Sequence, residues 1–112
     1  MAADQKFVIV LTTLPADGDA EQFASRLVEE KLAACVNVLP PMRSVYRWQG
    51  VVERADERQC VIKTTAPCIT PLEALIRSLH PYDVPEFLVI EITQGSAAYL
   101  SWLAESTAPE EG

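Results

Sequence analysis

The sequence predicts an α+β fold of the ferredoxin-like type, with the element order βαββαβ and a short additional C-terminal helix. Three observations predict it. Short β-rich apolar runs alternate with two amphipathic helical patterns in this order. A two-residue turn, Gln49-Gly50, joins two long extended segments as a hairpin. The 112 residues are 49% hydrophobic and 22% charged, which fits one globular domain over 1–112 with its core at about 6–105.

The first strand and the first helix are indicated by the N-terminal third of the chain. Lys6–Thr13 is a short apolar run of the kind found in buried strands. Asp19 is placed to cap a helix, which we expect to end near Ala34. The apolar residues of this segment recur at helical spacing: Phe23, Ala24, Leu27, Val28 and Leu32.

The middle of the chain predicts a long hairpin between the second and third strands. The second strand begins at Cys35–Leu39, is interrupted by Pro40-Pro41, and resumes at Arg43–Gln49. Proline cannot donate to a strand ladder, so the pair implies a bulge or an edge position. The return strand is predicted at Val51–Thr65.

The last third predicts a helix, a strand and a short helix. Thr70 is expected to cap the second main helix, and Pro81 to stop it. The fourth strand is predicted at Pro85–Thr93, and the C-terminal helix at Ala97–Glu105, capped by Ser96. The tail 106–112 is polar, and we expect it to be frayed and disordered.

The hairpin is too long for the helices to cover. At about 3.3 Å per residue, an extended 14-residue segment reaches about 46 Å, against roughly 24 Å for the longer predicted helix. The uncovered part is rich in apolar side chains, and its Arg and acidic residues nearly balance, which suits burial against a copy of itself. A homo-oligomer built on the hairpin is therefore predicted. The alternative is a hairpin that folds back on its own sheet. The apolar residues of the overhang are Val45, Tyr46, Trp48, Val51 and Val52.

Composition excludes several classes of function. The net charge of −7 argues against nucleic acid and against anionic membrane surfaces as partners. No apolar run approaches the roughly 20 residues that cross a bilayer. The three cysteines form no C-x-x-C pair, so we expect free thiols and a cytoplasmic protein. Walker and dinucleotide-binding glycine patterns and a nucleophile motif are absent from the sequence, so an enzyme is not expected.

Two polar segments remain as candidate sites. The segment from His80 to Glu86 holds the only histidine between two prolines; it is either a rigid connector or a polar cluster of His80, Tyr82 and Glu86. One histidine is too few for a closed zinc site. The acidic triplet Glu53, Asp56 and Glu57 is either a hard-cation site or a set of solvated or cross-paired charges. Lys63 lies near the buried end of its strand, and its predicted partner is Glu57 or Glu86.

Five motifs, in this order, resemble the CutA (divalent-cation tolerance) family over roughly residues 7–106. They are Ala33-Ala34-Cys35-Val36-Asn37-Val38; Ser44-x-Tyr46-x-Trp48-x-Gly50; Glu57 with Lys63-Thr64; His80-Pro81-Tyr82-x-Val84-Pro85-Glu86; and Tyr99-Leu100-x-Trp102.

The resemblance implies a trimeric, PII-like assembly in which the hairpins pair between subunits. It also implies a homotrimeric binding or scaffold protein involved in the response to metal ions such as copper. A PII-like signalling module that binds a small molecule, or an enzyme with its active cleft between subunits, is the alternative.

The resemblance also implies two sets of site residues. Some bacterial members are described with a copper site, whose matching positions here are Thr12, Leu79 and His80. The first two lack ligand side chains, so only His80 is left as a candidate ligand for a weakly bound copper or zinc ion. The inter-subunit cleft would be lined by Tyr46, Trp48, Glu57, Lys63, His80, Tyr82, Glu86 and Trp102.

Overall fold

The computed structural model describes residues 6–108. In this part of the chain, five strands form one antiparallel sheet: β1 (Phe7–Pro15), β2 (Cys35–Val38), β3 (Met42–Trp48), β4 (Val51–Thr65) and β5 (Leu88–Ile92). The three α-helices are α1 (Ala20–Glu29), α2 (Ile69–Leu79) and α3 (Ala97–Glu105). The strand order is β2-β4-β1-β5, and β3 pairs with the outer half of β4.

The predicted α+β, ferredoxin-like order is confirmed, with the second strand split into β2 and β3. Pro40-Pro41 causes the split, because neither residue can donate to the ladder. Both parts still pair with β4, from Val38 opposite Cys60 to Met42 opposite Glu57. The hairpin turns through Gln49 (φ 51°) and Gly50 (φ 82°), two positive φ values that match the right-handed twist of the strands.

Helices α1 and α2 pack on one face of the sheet. Alternate residues of β1 point towards them, since side chains alternate between the two faces of a strand. This core includes Val10, Leu27, Ile62, Leu72 and Ile76, each fully buried. The helices therefore cover one face of the sheet, and the opposite face is where a site can form.

Helix α3 covers only one end of the opposite face. Its Leu103 is fully buried against Phe7 and Ala34. Ser96 caps the helix, as predicted, by accepting from the Tyr99 N–H at 3.2 Å. No helix of residues 6–108 covers the rest of this face or the hairpin.

The predicted end of the first helix near Ala34 is wrong. Asp19 does cap α1, because its Oδ1 accepts from the Gln22 N–H at 2.9 Å. However, α1 stops at Glu29, and Lys31 takes the left-handed conformation with φ 61°. The Leu32 N–H then bonds to the Leu27 carbonyl at 3.1 Å, which forms a Schellman motif. Because the motif uses lysine where glycine is usual, the sequence carries no stop signal.

The predicted start of the second main helix is also wrong. The chain enters α2 through a 3₁₀ turn at Ala66–Cys68, so the helix begins at Ile69. Thr70 therefore lies inside the first turn, and the N-terminal cap has no side-chain hydrogen bond. The stop at Pro81 is confirmed, since His80 is the C-cap.

The C-terminal end of the described chain packs against the rest of the fold. Thr107 is buried, and its hydroxyl lies 3.2 Å from that of Thr65. The Ala108 N–H donates to the Lys31 carbonyl at 3.0 Å, so residues 107 and 108 contact the rest of the fold, while disorder of the tail stays a prediction. The rest of the predicted disordered tail, 109–112, lies outside the described residues.

Within residues 6–108, no helix is both long enough and apolar enough to cross a bilayer.

Candidate functional site

The loop between α2 and β5 is fixed to the end of β1 by His80. His80 is 8% exposed, and its Nε2 lies 2.6 Å from the Thr13 carbonyl oxygen. Its Nδ1 accepts from the Tyr82 N–H at 3.1 Å. A carbonyl accepts and an N–H donates, so these partners fix a neutral imidazole with its proton on Nε2. Both ring nitrogens are therefore used to hold the loop in place.

Tyr82 joins this loop to β4. Its hydroxyl donates to Glu57 Oε2 at 2.8 Å, and its ring lies 4.7 Å from that of His80. Burial and the Glu57 carboxylate both raise the pKa of Tyr82 well above its usual value. The phenol thus stays protonated and acts as a donor. Glu57 is only 7% exposed, and this hydroxyl is its hydrogen-bond partner in the structure.

Gln59 provides the third attachment of the loop. Its side-chain amide donates to the Thr12 carbonyl at 2.8 Å and to Glu86 Oε2 at 2.9 Å. The loop is thus tied to β1 by His80, to β4 by Tyr82, and to both strands through Gln59. Such a network holds its side chains in one arrangement.

The loop and the hairpin enclose a cavity of about 590 Å³ on the sheet face opposite α1 and α2. The strand residues that line it share this face, because Met42 pairs with Glu57 and alternate residues of each strand point the same way. The lining residues are Thr13, Met42, Ser44, Tyr46, Trp48, Glu57, Gln59, Tyr82, Asp83, Val84, Pro85 and Glu86.

Five of the eight predicted cleft residues meet at this cavity: Tyr46, Trp48, Glu57, Tyr82 and Glu86. His80 does not line the cavity, but its Nδ1 accepts from the Tyr82 N–H and so holds Tyr82 in the cavity wall. Lys63 and Trp102 lie elsewhere in the subunit. Lys63 is six residues beyond Glu57 along β4, about 20 Å away.

The predicted pairing of Lys63 with Glu57 or Glu86 is therefore wrong. The Lys63 ammonium instead lies 6.0 Å from the centre of the Tyr99 ring. Tyr99 in turn packs against Trp102, with their ring centres 5.3 Å apart. Lys63 and Glu57 are six residues apart on one extended strand, which already places them too far apart to pair.

The comparisons with known proteins agree with this fold. A family described as CutA1 divalent ion tolerance protein matches residues 8–106. This chain belongs to the CutA1 family. The divalent-cation tolerance protein CutA of Thermus thermophilus is 44% identical over 99 residues, covering 88% of this chain and 96% of that protein. The chloroplastic protein CutA of Arabidopsis thaliana is 42% identical over 100 residues, covering 89% of this chain and 55% of that protein.

A solved structure supports the same assignment. CutA1 from Oryza sativa superposes with a TM-score of 0.89 at 36% identity, covering 94% of this chain and 96% of that chain. The chain is therefore a CutA-like divalent-cation tolerance protein in both sequence and fold.

The copper positions implied by the CutA resemblance do not fit a copper ion here. His80 has no free nitrogen, and Leu79 has no donor atom. Thr12 is fully buried, and its hydroxyl has no hydrogen-bond partner in the structure. A hydroxyl is also a poor substitute for a thiolate as a ligand for copper. His80 as a metal ligand remains a prediction, and binding would require it to give up one of its two loop contacts.

The acidic triplet does not form a shared cation site. Asp56 pairs with Arg43 at 2.8 Å across the hairpin, whereas Glu57 turns towards Tyr82. Across residues 6–108, no three or more His, Cys, Asp or Glu side chains come close enough to hold one metal ion. Of the two interpretations of the triplet, a cation site or cross-paired charges, the second describes the Asp56 carboxylate.

Sequence reasoning missed several residues of the cavity, chiefly Gln59, Asp83, Met42 and Ser44. A signal for three of them was present. Gln59 lies two residues from Glu57, and Ser44 and Met42 continue the Tyr46/Trp48 row at the same spacing, so all share one strand face. Asp83 lies in the irregular loop and carries no such pattern.

Proposed function

We propose that this CutA1-family protein acts as a cytoplasmic homotrimer in the response to metal ions such as copper. In this proposal it is a binding or scaffold protein rather than an enzyme, and its clefts lie between subunits. Membership of the divalent-cation tolerance family supports the metal-related role. The location is proposed from free, reduced thiols at Cys35, Cys60 and Cys68.

The uncovered apolar surface is the observation that carries the trimer. On the hairpin, Val45 is 60% exposed and Trp48 41%. On the open sheet face, Leu88 is 55% exposed and Ile90 48%. Monomers rarely leave contiguous apolar patches of this kind in water, so burial against further copies accounts for them. The chain is elongated, 47 × 28 × 24 Å, because the hairpin extends beyond the helices.

The predicted cleft residues fall into two separate groups within one subunit, and this also supports an inter-subunit cleft. Lys63 and Trp102 lie at one end of the open face, and the cavity lies at the other. One subunit cannot bring them together. In the proposed trimer, each subunit places one end of this face against the other end of the next, which brings the two groups together.

The mass of the purified protein in solution tests the trimer. Sedimentation equilibrium at micromolar concentration should give about 37 kDa, three times the 12.3 kDa of one chain. Replacing Val45 and Val52 by Lys, on a hairpin that carries no part of the core, should reduce that mass. A mass near 12 kDa for the unaltered protein would contradict the proposal.

The metal-related role is tested by growth and by calorimetry. A bacterial strain that lacks its own CutA should regain tolerance to copper when it carries this chain. Titration with Cu²⁺ and Zn²⁺ should then compare the protein with His80→Ala. If His80→Ala leaves all metal binding unchanged, the metal site at His80 is excluded. Growth that is equally copper-sensitive with and without the chain would exclude the role itself.

The cavity favours a second candidate, a PII-like module that binds a small molecule. Its volume lies within the range of ordinary ligand sites, and its polar groups converge from a loop and two strands. A panel of nucleotides and metabolites in the same calorimeter separates the two candidates, since a scaffold that responds only to metal should bind none of them.

A further inference from the structure

We propose that Glu57 of each subunit forms an ion pair with Lys63 of the partner subunit, so that every cavity is completed by a lysine from another copy of this chain. The inference rests on the homotrimer proposed above, and it names the contact that joins its subunits. A trimer arranged in this way holds three identical pairs, one at each interface.

Glu57 carries a buried charge that its own chain does not balance. The residue is only 7% exposed, and its hydrogen-bond partner, the Tyr82 hydroxyl, is neutral. Within residues 6–108, the ion pairs join other groups: Lys6 with Glu91, Arg26 with Glu30, and Arg43 with Asp56. Because buried charges are normally paired, the counter-charge of Glu57 is expected from outside its own chain.

Lys63 lacks a counter-charge at the other end of the open sheet face. Its ammonium group lies 6.0 Å from the centre of the Tyr99 ring, and it forms no ion pair with any group of residues 6–108. It cannot reach Glu57 of its own chain, because six residues of extended strand separate the two by about 20 Å. The described part of one chain thus holds an anion and a cation on one face that are too far apart to meet.

The two faces of the sheet differ in their cations. Side chains alternate along a strand, and the unbroken pairing of β4 with β1 puts Lys63 on the same face as Glu57. The arginines of the hairpin lie on the other face, the side that carries α1 and α2: Arg43, Arg47, Arg54 and Arg58. Lys63 is therefore the one lysine or arginine that a strand within residues 6–108 presents on the open face.

The proposed trimer brings the two ends of this face together. Each subunit places the cavity end of its open face against the Lys63 end of the next subunit. A copy that meets the cavity with its own open face offers one strand cation, and that cation is Lys63. Each chain has a net charge of −7, so a pair of opposite charges at the interface also offsets repulsion between acidic copies.

Exposed aromatic rings lie beside both charges and would exclude water from the pair. Tyr46 and Trp48 line the cavity on the carboxylate side, and each is more than 40% exposed in the single chain. Tyr99 lies beside the ammonium group and packs against Trp102, and each of these is 43% exposed. Contact between the two sets of rings buries apolar surface on both subunits, and an enclosed ion pair is less screened by salt than an exposed one.

The carboxylate is oriented before the neighbouring subunit arrives. Tyr82 donates to Oε2 of Glu57 at 2.8 Å, and the two ring nitrogens of His80 hold the loop that carries Tyr82. This arrangement leaves Oε1 of the carboxylate for a second donor, and an ammonium group carries three. Preorganisation of this kind reduces the entropy lost when the subunits associate.

A double-mutant cycle on dissociation of the trimer tests the pair. Glu57→Gln keeps an oxygen that accepts from Tyr82 but removes the charge, and Lys63→Met keeps the apolar stem but removes the ammonium group. Sedimentation in increasing urea, at a fixed micromolar concentration, should show each variant dissociating earlier, equivalent to at least about tenfold weaker subunit affinity. The double variant should dissociate at about the same urea concentration as the single variants, because all three lack the same pair.

The separation of the two residues within one chain makes this coupling specific to the interface. Substitutions about 20 Å apart in one chain normally have additive effects, so non-additivity would come from contact between chains. Additive effects of Glu57→Gln and Lys63→Met would overturn the proposal.

Two control cycles use charges outside the proposed pair, and both should be additive. Glu53→Gln removes an exposed acid of β4 that does not line the cavity, and it is combined with Lys63→Met. Arg54→Gln removes a cation from the opposite face, and it is combined with Glu57→Gln. Coupling as large in these controls as in the main cycle would overturn the assignment to Glu57 and Lys63.

A conservative variant and the mass of the unaltered protein separate the remaining outcomes. Lys63→Arg keeps the charge and should dissociate close to the unaltered trimer, whereas a loss equal to that of Lys63→Met would overturn the role of the charge. A mass near 12 kDa for the unaltered protein contradicts the trimer, and this inference with it. A trimer in which the main cycle is additive contradicts this inference alone.

Discussion

Gln59→Leu should destabilise the protein more than any comparable change of a glutamine on its surface. The side-chain amide of Gln59 donates to the Thr12 carbonyl at 2.8 Å and to the Glu86 carboxylate at 2.9 Å. Leucine has a similar size but no donor, so both acceptors lose their partner. A neutral hydrogen bond contributes about 0.5–1.5 kcal/mol and one to a charged group about 1.5–3 kcal/mol. Because the site is only half-buried, we expect a loss of about 2–4 kcal/mol in the free energy of unfolding.

Urea unfolding at a fixed protein concentration measures this loss, since an assembly makes apparent stability depend on concentration. With a slope of about 2 kcal/mol per molar urea, the midpoint should fall by about 1–2 M. Gln22→Leu is the control, because Gln22 is exposed on α1 and its side chain makes no hydrogen bond to any other residue of 6–108. If the midpoint of Gln59→Leu lies within about 0.3 M of that of Gln22→Leu, the hydrogen-bond network does not stabilise the loop as argued.

Three further predictions test other parts of the fold. Burial raises the pKa of the Cys60 thiol to about 11 from the usual 9.0, so the folded state holds this proton more tightly than the unfolded state does. The free energy of unfolding, measured by urea titration, should therefore fall between pH 9 and pH 11. Cys60→Ala should reduce that fall. Leu103→Ala should lower the free energy of opening of α3 by about 2–5 kcal/mol, so amide hydrogen exchange should rise in α3 before it rises in the α1–α2 core. Leu103→Met should keep most of the protection. Uniform exchange in both regions would contradict a separately docked helix. Gly50→Val should lower the thermal midpoint, because a β-branched residue is strained at φ 82°. Gln49→Asn should keep or raise the midpoint, because asparagine tolerates a positive φ. Equal midpoints of the two variants would argue against the tight turn.

The order of the elements could be predicted from the sequence because local patterns specify it. The apolar alternation, the Asp19 and Ser96 caps and the Gln49-Gly50 turn all act within a few residues, and each is confirmed. The split of the second strand at Pro40-Pro41 follows from a missing donor, which is also a local property.

The errors occur where tertiary contacts override local signals. Lys31 takes a left-handed conformation that glycine usually provides, and burial of Leu32 in the core favours it. Thr70 matches a capping pattern, yet the 3₁₀ turn before it starts the helix early. Thr107 looks like part of a polar tail, but its hydroxyl reaches Thr65 across the fold.

The candidate site was predicted only in part for a similar reason. Residue types and order pointed to Glu57, Tyr82 and Glu86, and the cavity contains all three. Lys63 lies six residues from Glu57 on β4, about 20 Å away, but the positions of Tyr82 and Glu86 depend on the contacts that hold their loop against β1 and β4. Contacts between elements far apart in the chain cannot be read from one segment of sequence.

The position of Glu57 in the sheet has a mechanical consequence. On one side of β4 it is the last residue paired with β1, opposite Pro15, and on the other side it is the first paired with β3, opposite Met42. The sheet narrows here from several strands to two, so bending of the hairpin concentrates at this neck. Tyr82 crosses the neck and fastens it to the rigid loop. The hairpin tip lies about 20 Å beyond Glu57, so a small change of angle at this neck would move the tip by a larger distance.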